Sequence, residues 1–311
     1  CRGGVFPFKK MECCCFQRTV QDHTSGYHMQ VECVAFSVVI AVYNAGKILP
    51  RLLESLAQQT FCDFNVIIQD GASKDDSVAI AENFASRLPS LLLHSEKDSG
   101  IYDAWNRALD IHKKYLGEWI IFLGADDILA APDVLERVNE KLAGCPATLR
   151  YACGDIEFFS EDGCERRVRK AEAENAYGYF PLGMSFAHSA LFHRKCVFAT
   201  ERFNSSYRIV GDYDFLIRTW NAQDVGVNLD VLVTRMSTGG CSNHIANAQL
   251  LKSEVDRIRR QHFPIRQILF KIGERMIPIK AGIKAAAGKS AMIAASCDRL
   301  RKWKQLFFYQ R

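Results

Sequence analysis

Through its first half the chain alternates short apolar runs with amphipathic segments. FSVVIAV (Phe36–Val42), FNVIIQD (Phe64–Asp70), LLLHS (Leu91–Ser95) and EWIIFL (Glu118–Leu123) are mostly apolar and rich in β-branched or aromatic residues, the pattern of strands buried on both faces. Between them the period changes. KILPRLLESLAQQ places Ile48, Leu49, Leu52, Leu53 and Leu56 on one stripe, and DDSVAIAENFASRL does the same with Val78, Ala81, Phe84, Ala85 and Leu88, so both predict amphipathic helices. Strand alternating with helix requires right-handed crossovers and predicts an open, doubly wound α/β sheet with ligands beyond the carboxyl ends of its strands.

After about residue 145 the alternation weakens. LRYACGDIEFF and MSFAHSALFHR read as strands of a mixed region, DYDFLIRTWNAQ as a short helix, and VGVNLDVLVTRMS as one or two further strands. The chain thus divides into a poorly specified leader (1–33), an α/β domain (34–250, its halves meeting at 145/146) and a basic helical tail (251–311). The second half of the domain is expected to cover the open end of the sheet.

Composition narrows the class. With 48% hydrophobic and 24% charged residues the chain reads as globular, and its apolar runs fall far short of the roughly 18–20 residues that span a bilayer. Residues 1–33 lack the pattern of a signal peptide. Twelve cysteines occur without a CxxC pair, which points to scattered thiols in a reducing, cytoplasmic setting rather than zinc or disulfides. The net charge of +5 is unevenly placed: from Arg257 onward fourteen Lys and Arg face only Glu274 and Asp298, so the preceding residues are net acidic. Ile265, Ile268, Leu269 and Ile272 form an apolar stripe flanked by Arg266, Lys271 and Arg275, and Trp303, Phe307, Phe308 and Tyr309 follow. Aliphatic residues dominate this stretch, so it suits the inner membrane surface better than nucleic acid. A helix pair packed on the domain with a solvated basic face is the competing reading.

The chemistry-bearing residues lie at strand ends. Asp70 closes the second strand before GASKDDS, where Ser73 or Asp75 can cap the next helix. SEKDSGIYDAWNRAL brings Asp98, Ser99 and Gly100 to a helix start, which can receive an anion or simply be capped by its own polar side chains. LGADD puts Asp126 and Asp127 side by side beyond the fourth strand. Paired carboxylates there call for a cation or a hydrogen-bonding ligand, and Mn²⁺ or Mg²⁺ with phosphate oxygens is the economical partner. Two solvated acids capping the helix near Pro132 are the plainer account.

FSVVIAVYNAGKIL, VIIQDGASKDDS, DSGIYDAWNRAL, FLGADD, HSALFHR, GDYDFLIRTW and STGGCSN occur in that order, and together they resemble family 2 glycosyltransferases of the GT-A fold. The likeness is to bacterial enzymes of exopolysaccharide, O-antigen and colanic-acid assembly, and it covers residues 36–245. It implies a Rossmann-like, mostly parallel sheet with helices on both faces, a mixed acceptor-side region and the basic helical tail. By resemblance, Val42, Tyr43 and Asn44 border the nucleotide, Asp70 bonds the base, commonly uracil, and Asp98 with Gly100 to Asn106 lies along ribose and diphosphate. Ala125 and Asp126 contact the nucleotide-sugar, with Asp126 as the Mn²⁺ or Mg²⁺ ligand and Asp127 as support; Gly124 stands where the family's first acid would be. Asp212 is the implied catalytic base, Asp214 its alternative on the acceptor side, and Gly211 replaces a Glu. His188 is implied to face the acceptor or diphosphate, with Ser189 in place of a Gln, and Gly239 to His244 resembles a loop near the diphosphate. In their own right Asp70 reads first as a turn acid, Asp212 as a first-turn acid on a helix and His188 as a core histidine.

The expected activity is inverting, metal-dependent transfer from a nucleotide-diphospho-sugar, with UDP favoured, to a glycan or lipid-linked saccharide. The alternative is a catalytically silent nucleotide-sugar binder in an assembly complex. A nucleotidyltransferase would want a Gly-rich basic loop after the first strand, and a dinucleotide oxidoreductase a GxGxxG; VYNAGKIL offers neither.

Overall fold

The computed structural model describes residues 34–159, 166–237 and 245–264. The elements follow in the order β1 (Phe36–Val42), α1 (Leu49–Ala57), β2 (Phe64–Asp70), α2 (Ser77–Asn83), β3 (Leu91–Ser95), α3 (Ile101–Ile111) and β4 (Trp119–Gly124). Then come β5 (Ile128–Leu129), α4 (Val134–Ala143), β6 (Tyr151–Phe159), β7 (Arg166–Arg169), α5 (Ala176–Tyr179), β8 (Leu191–Arg194), α6 (Gly211–Thr219), β9 (Val227–Ser237) and α7 (Ala248–His262). The fold is mixed α/β around one sheet ordered β3-β2-β1-β4-β8-β6-β9-β5, with β7 added on β6.

β1 to β4 are parallel and coincide with the four apolar segments of the sequence; β1, β2 and β4 are buried as expected, whereas β3, at the edge of the sheet, is only half-buried. The chain moves outward from β1 to β2 to β3 and then returns across β1 to place β4 on its other side. With right-handed crossovers, that reversal puts α3 on the face opposite α1 and α2 and leaves a crevice between the carboxyl ends of β1 and β4. The ends are level: Val42 pairs with Asp70, Asp70 with Ser95, and Ala41 with Gly124. β8 runs antiparallel to both β4 and β6 and so joins the two halves, while β6 and β9 lie parallel.

α1 buries Leu49, Leu52, Leu53 and Leu56 as its stripe predicts, each contributing about 1.5–3 kcal/mol. α2 stops at Asn83, earlier than expected: the following amides bond three residues back, Phe84 to Ala81 and Ala85 to Glu82. Arg87 stacks on Phe84 and pairs with Glu54 of α1 at 2.7 Å, holding that turn to its neighbour. MSFAHSALFHR yields a strand only from Leu191, because His188–Ala190 form a 3₁₀ turn. β9 is one strand rather than two, with its irregularity against β6 absorbed near Asp230, at φ = 52°.

The boundary expected at residue 250 falls inside α7. That helix packs on the domain: Ile258 is fully buried, Arg259 Nη2 donates to the Leu182 carbonyl at 2.9 Å, and His262 lies 3.3 Å from Asp214. Glu254, on the same inner stripe, accepts the amides of Arg208 (2.8 Å), Ile209 (3.0 Å) and Val210 (3.2 Å). The leader, the Gly239–His244 loop and the tail from Ile265 lie outside the described residues. Among the described residues no helix is long and apolar enough to cross a membrane.

Truncating Glu254 leaves three main-chain donors without their acceptor. Glu254→Ala is expected to lower the free energy of urea unfolding by about 2–3 kcal/mol, whereas Lys252→Ala, exposed on the same helix, should stay within about 0.5 kcal/mol.

Candidate active site

The turns after β1 and β2 are zipped together by short polar side chains. Asn44, held at φ = 49°, donates its amide to Ser73 Oγ and accepts Lys74 N at Oδ1, both at 2.8 Å. Ser77 Oγ and Asp75 Oδ2 take the next two amides, Ala45 and Gly46, at 2.8 and 2.9 Å. Asp70 is 1% exposed and accepts Ser73 N (2.9 Å), Ser73 Oγ and Ser95 Oγ (2.7 Å), so its carboxylate ties β2 to β3. Tyr43 projects from this floor, 62% exposed. Val42 faces the core and reaches the site only through its carbonyl, which accepts Gly71 N.

Asp98 leans over Gly71: a Cβ at Gly71 would lie 2.8 Å from Asp98 Oδ2. Burial raises the Asp98 carboxyl above its ordinary value, with Asp103 and Asp70 adding and the Gly100 amide and Arg107 opposing. Gly100 opens α3 at φ = 130°, a conformation that only glycine adopts readily, and nothing lies over it within 4 Å. The amides just ahead of the helix are engaged locally: Gly100 N donates to Asp98 and Ser99 N to Asp103. Asn106 differs from expectation. Its amide donates to the Phe203 carbonyl (2.8 Å) and accepts Phe203 N (2.9 Å), so both ends hold the later chain rather than a ligand.

Beyond β4, Gly124 N donates to Asp127 Oδ2 at 2.8 Å, and Asp127 N returns to the Gly124 carbonyl. Asp127 is buried, and that burial, then the charge of Asp126, pushes its carboxyl up to about 8. Ala125 and Asp126 are half-buried at the rim. A Cβ at Gly124 would sit 2.7 Å from Asp126 Oδ1, so the glycine admits that carboxylate. Among the described residues no three His, Cys, Asp or Glu cluster as a ready-made metal cage. One carboxylate with neighbouring support fits Mn²⁺ or Mg²⁺ only where phosphate oxygens and water complete the shell.

Asp212, in the first turn of α6, joins this edge through α3. The Tyr102 hydroxyl donates to the Ile209 carbonyl at 2.7 Å and lies 3.1 Å from Asp212 Oδ1. Burial pushes the Asp212 carboxyl up to about 6, opposed by hydrogen bonds from backbone amides and Tyr102. Asp214, two residues on, points elsewhere: it is 1% exposed, bonds Arg218 Nε at 2.8 Å and faces His262. Its contacts are those of a structural ion pair, not of an acceptor-side acid. His188 likewise sits inside the protein, stacked on Trp105 and Phe122 at ring distances of 5.3 and 5.7 Å, with Nε2 3.1 Å from His193 Nε2. Burial lowers its pKa to about 3. It is therefore a neutral core histidine near the second half's junction with the sheet.

Two residues of this arrangement escape a reading by motif. Tyr102 looks like one more member of α3's buried stripe, and nothing local announces a partner 110 positions away. Glu254 carried a signal: an acid on the stripe of Leu251 and Ile258 calls for a buried partner.

A sequence model described as Glycosyl transferase family 2 matches residues 37–205. A PGL/p-HBAD biosynthesis glycosyltransferase of Mycobacterium tuberculosis is 34% identical over 227 residues, 70% of this chain and 82% of that protein. The amylovoran biosynthesis glycosyltransferase AmsE of Erwinia amylovora is 28% identical, covering 72% and 84%. Among solved structures, S. aureus TarS 1-349 in complex with UDP superposes with a TM-score of 0.54 at 19% identity, over 73% of this chain and 65% of that one. A Pyrobaculum calidifontis mannosyltransferase in complex with GDP-Man and Mn²⁺ gives 0.52 at 17% identity, over 90% and 82%. At those identities the likeness speaks for the fold.

Below its ordinary pKa of about 6.5, a histidine in the unfolded chain binds a proton that buried His188 refuses. Stability is therefore expected to fall as pH drops from 6.5 towards 3. His188→Gln should flatten this dependence, removing about 1–2 kcal/mol of the loss in unfolding free energy between pH 7 and 5.

Proposed function

The chain belongs to glycosyl transferase family 2, and on that premise we propose that it transfers a sugar, with inversion, from a nucleotide-diphospho-sugar to a glycan or lipid-linked saccharide of the cell surface. One observation carries the reading. The level strand ends beside the β1/β4 reversal gather Asp70, Asp98 and Asp126, and α3 brings Asp212 to the same edge through Tyr102. Asn44 and Tyr43 border the nucleotide, buried Asp70 braces the floor beneath the base, Asp98 contacts the ribose, and the open space over Gly100 receives the diphosphate. UDP is proposed as the donor nucleotide from the family resemblance; of the similar folds, TarS is solved with UDP and UDP-GlcNAc and the Pyrobaculum mannosyltransferase with GDP-Man.

In the proposed reaction the acceptor oxygen bonds to the anomeric carbon. The bond from that carbon to the diphosphate oxygen breaks, its electron pair leaving with the nucleoside diphosphate, and the acceptor proton passes to Asp212. A base with its carboxyl near 6 is ionised at neutral pH yet basic enough to take that proton. Asp126 would hold Mn²⁺ or Mg²⁺, which, when bound, offsets charge on the departing diphosphate. Gly124 and Gly211, the two departures from the family's acids, are each matched to a neighbour that a Cβ would strike.

Release of UDP from a panel of UDP-sugars with Mn²⁺ tests the assignment. Asp212→Asn is expected to lower kcat by about 10²–10⁴-fold while UDP binding persists; undiminished turnover sinks the base. In the intact protein kcat/KM should rise with pH through about 6 and then level off, because only ionised Asp212 accepts the proton. Asp126→Ala should abolish the Mn²⁺-dependent part of the UDP-induced rise in Tm. For the tail, flotation with anionic vesicles is expected to require residues 265–311, and equal binding without them would discard the membrane-surface role.

A further inference from the structure

Gly211 and Tyr102 fit each other. A Cβ at Gly211 would lie 2.7–2.9 Å from Cδ2, Cε2 and Cγ of the Tyr102 ring, so the phenol packs on a bare Cα at the start of α6. That packing sets the hydroxyl between the Ile209 carbonyl and Asp212 Oδ1. The ring is 4% exposed and wedged against Trp105 and Phe203, which leaves the hydroxyl little freedom. Glu254 holds the amides of residues 208–210 from the other side, fixing the carbonyl that shares the phenol. We propose that Tyr102 is a positioning residue: it holds one oxygen of Asp212 in place so that the other meets the acceptor hydroxyl. The inference rests on the reading of Asp212 as the base.

A phenol carries one proton, and the two acceptors compete for it. With Asp212 ionised, the proton turns towards Oδ1, a charge-assisted bond stronger than one to a neutral carbonyl. Once Asp212 has taken the acceptor's proton, the phenol proton returns to Ile209. Tyr102 itself stays protonated, because burial and then the adjacent Asp212 charge raise its pKa well above the ordinary value. The charged and titratable groups facing Asp212 in this arrangement are Tyr102 from α3 and Glu254 from α7, the first stabilising the carboxylate and the second opposing it.

The test needs no substrate. Aspartate carboxyl carbons are labelled with ¹³C in the full chain, and the Asp212 resonance is identified by its absence in Asp212→Asn. Its midpoint is expected near pH 6 and should rise by about half a unit or more in Tyr102→Phe, which keeps the ring but loses the donor. Gly211→Ala, which displaces the ring but keeps its hydroxyl, should move the midpoint the same way, and it decides the matter should Tyr102→Phe not fold. An unchanged midpoint overturns the proposal. In UDP release, Tyr102→Phe is expected to lower kcat several-fold and shift the acid limb upward with the KM for donor unaltered. Full turnover by Asp212→Asn would remove the base reading separately, whatever the titration shows.

Discussion

The second half of the chain meets the parallel sheet through β8 and through an aromatic cluster, and the candidate site depends on that cluster. Phe203 is the hub: its ring lies 5.2 Å from Trp105 of α3, 5.1 Å from Phe122 of β4 and 4.4 Å from Phe215 of α6. Pairs of this kind contribute about 0.5–1.5 kcal/mol each beyond their buried area. Asn106 adds two main-chain hydrogen bonds to the same residue. Together these contacts fix where α6 begins, and therefore where Asp212 stands relative to the strand ends.

The acids of the edge are held by different physics. Asp70 is surrounded by donors from two serines, and it braces the floor. Asp127 and Asp212 have fewer donors for their burial, and both carboxyls are raised. An acid that is costly to ionise is poor scaffolding but useful beside a cation or as a proton acceptor near neutrality. The glycines at 124 and 211 belong to the same design. Each lacks the Cβ that would strike its neighbour, so the Asp126 carboxylate approaches Gly124 and the Tyr102 ring packs on Gly211.

The regular part of the fold was legible because its elements bury local patterns. Runs buried on both faces announced β1, β2 and β4, the apolar LLLHS announced the half-buried edge strand β3, and a 3.6-residue stripe announced α1. α2 came out shorter because Arg87 found Glu54 on α1 and Phe84 beneath it, a tertiary contact that no local period contains. β7 and the two-residue β5 were invisible for a similar reason, since their pairing comes from β6 and β9 rather than from their own composition.

The candidate site divides along the same line. Which acids end which strands was a matter of sequence: Asp70 and Asp126 sit a fixed number of residues beyond buried runs, and a strand buried on both faces must release its next polar residue at an edge. Which polar residues belong to the site and which to the core was decided only in three dimensions. His188, Asn106 and Asp214 share motifs with the candidate residues, yet each is engaged by a partner distant in sequence or turned to another helix face. Tyr102 entered the site because the chain brought Gly211 against its ring. Order along the chain settles what emerges at a strand end; burial and pairing, which depend on residues a hundred positions apart, settle what that group is left able to do.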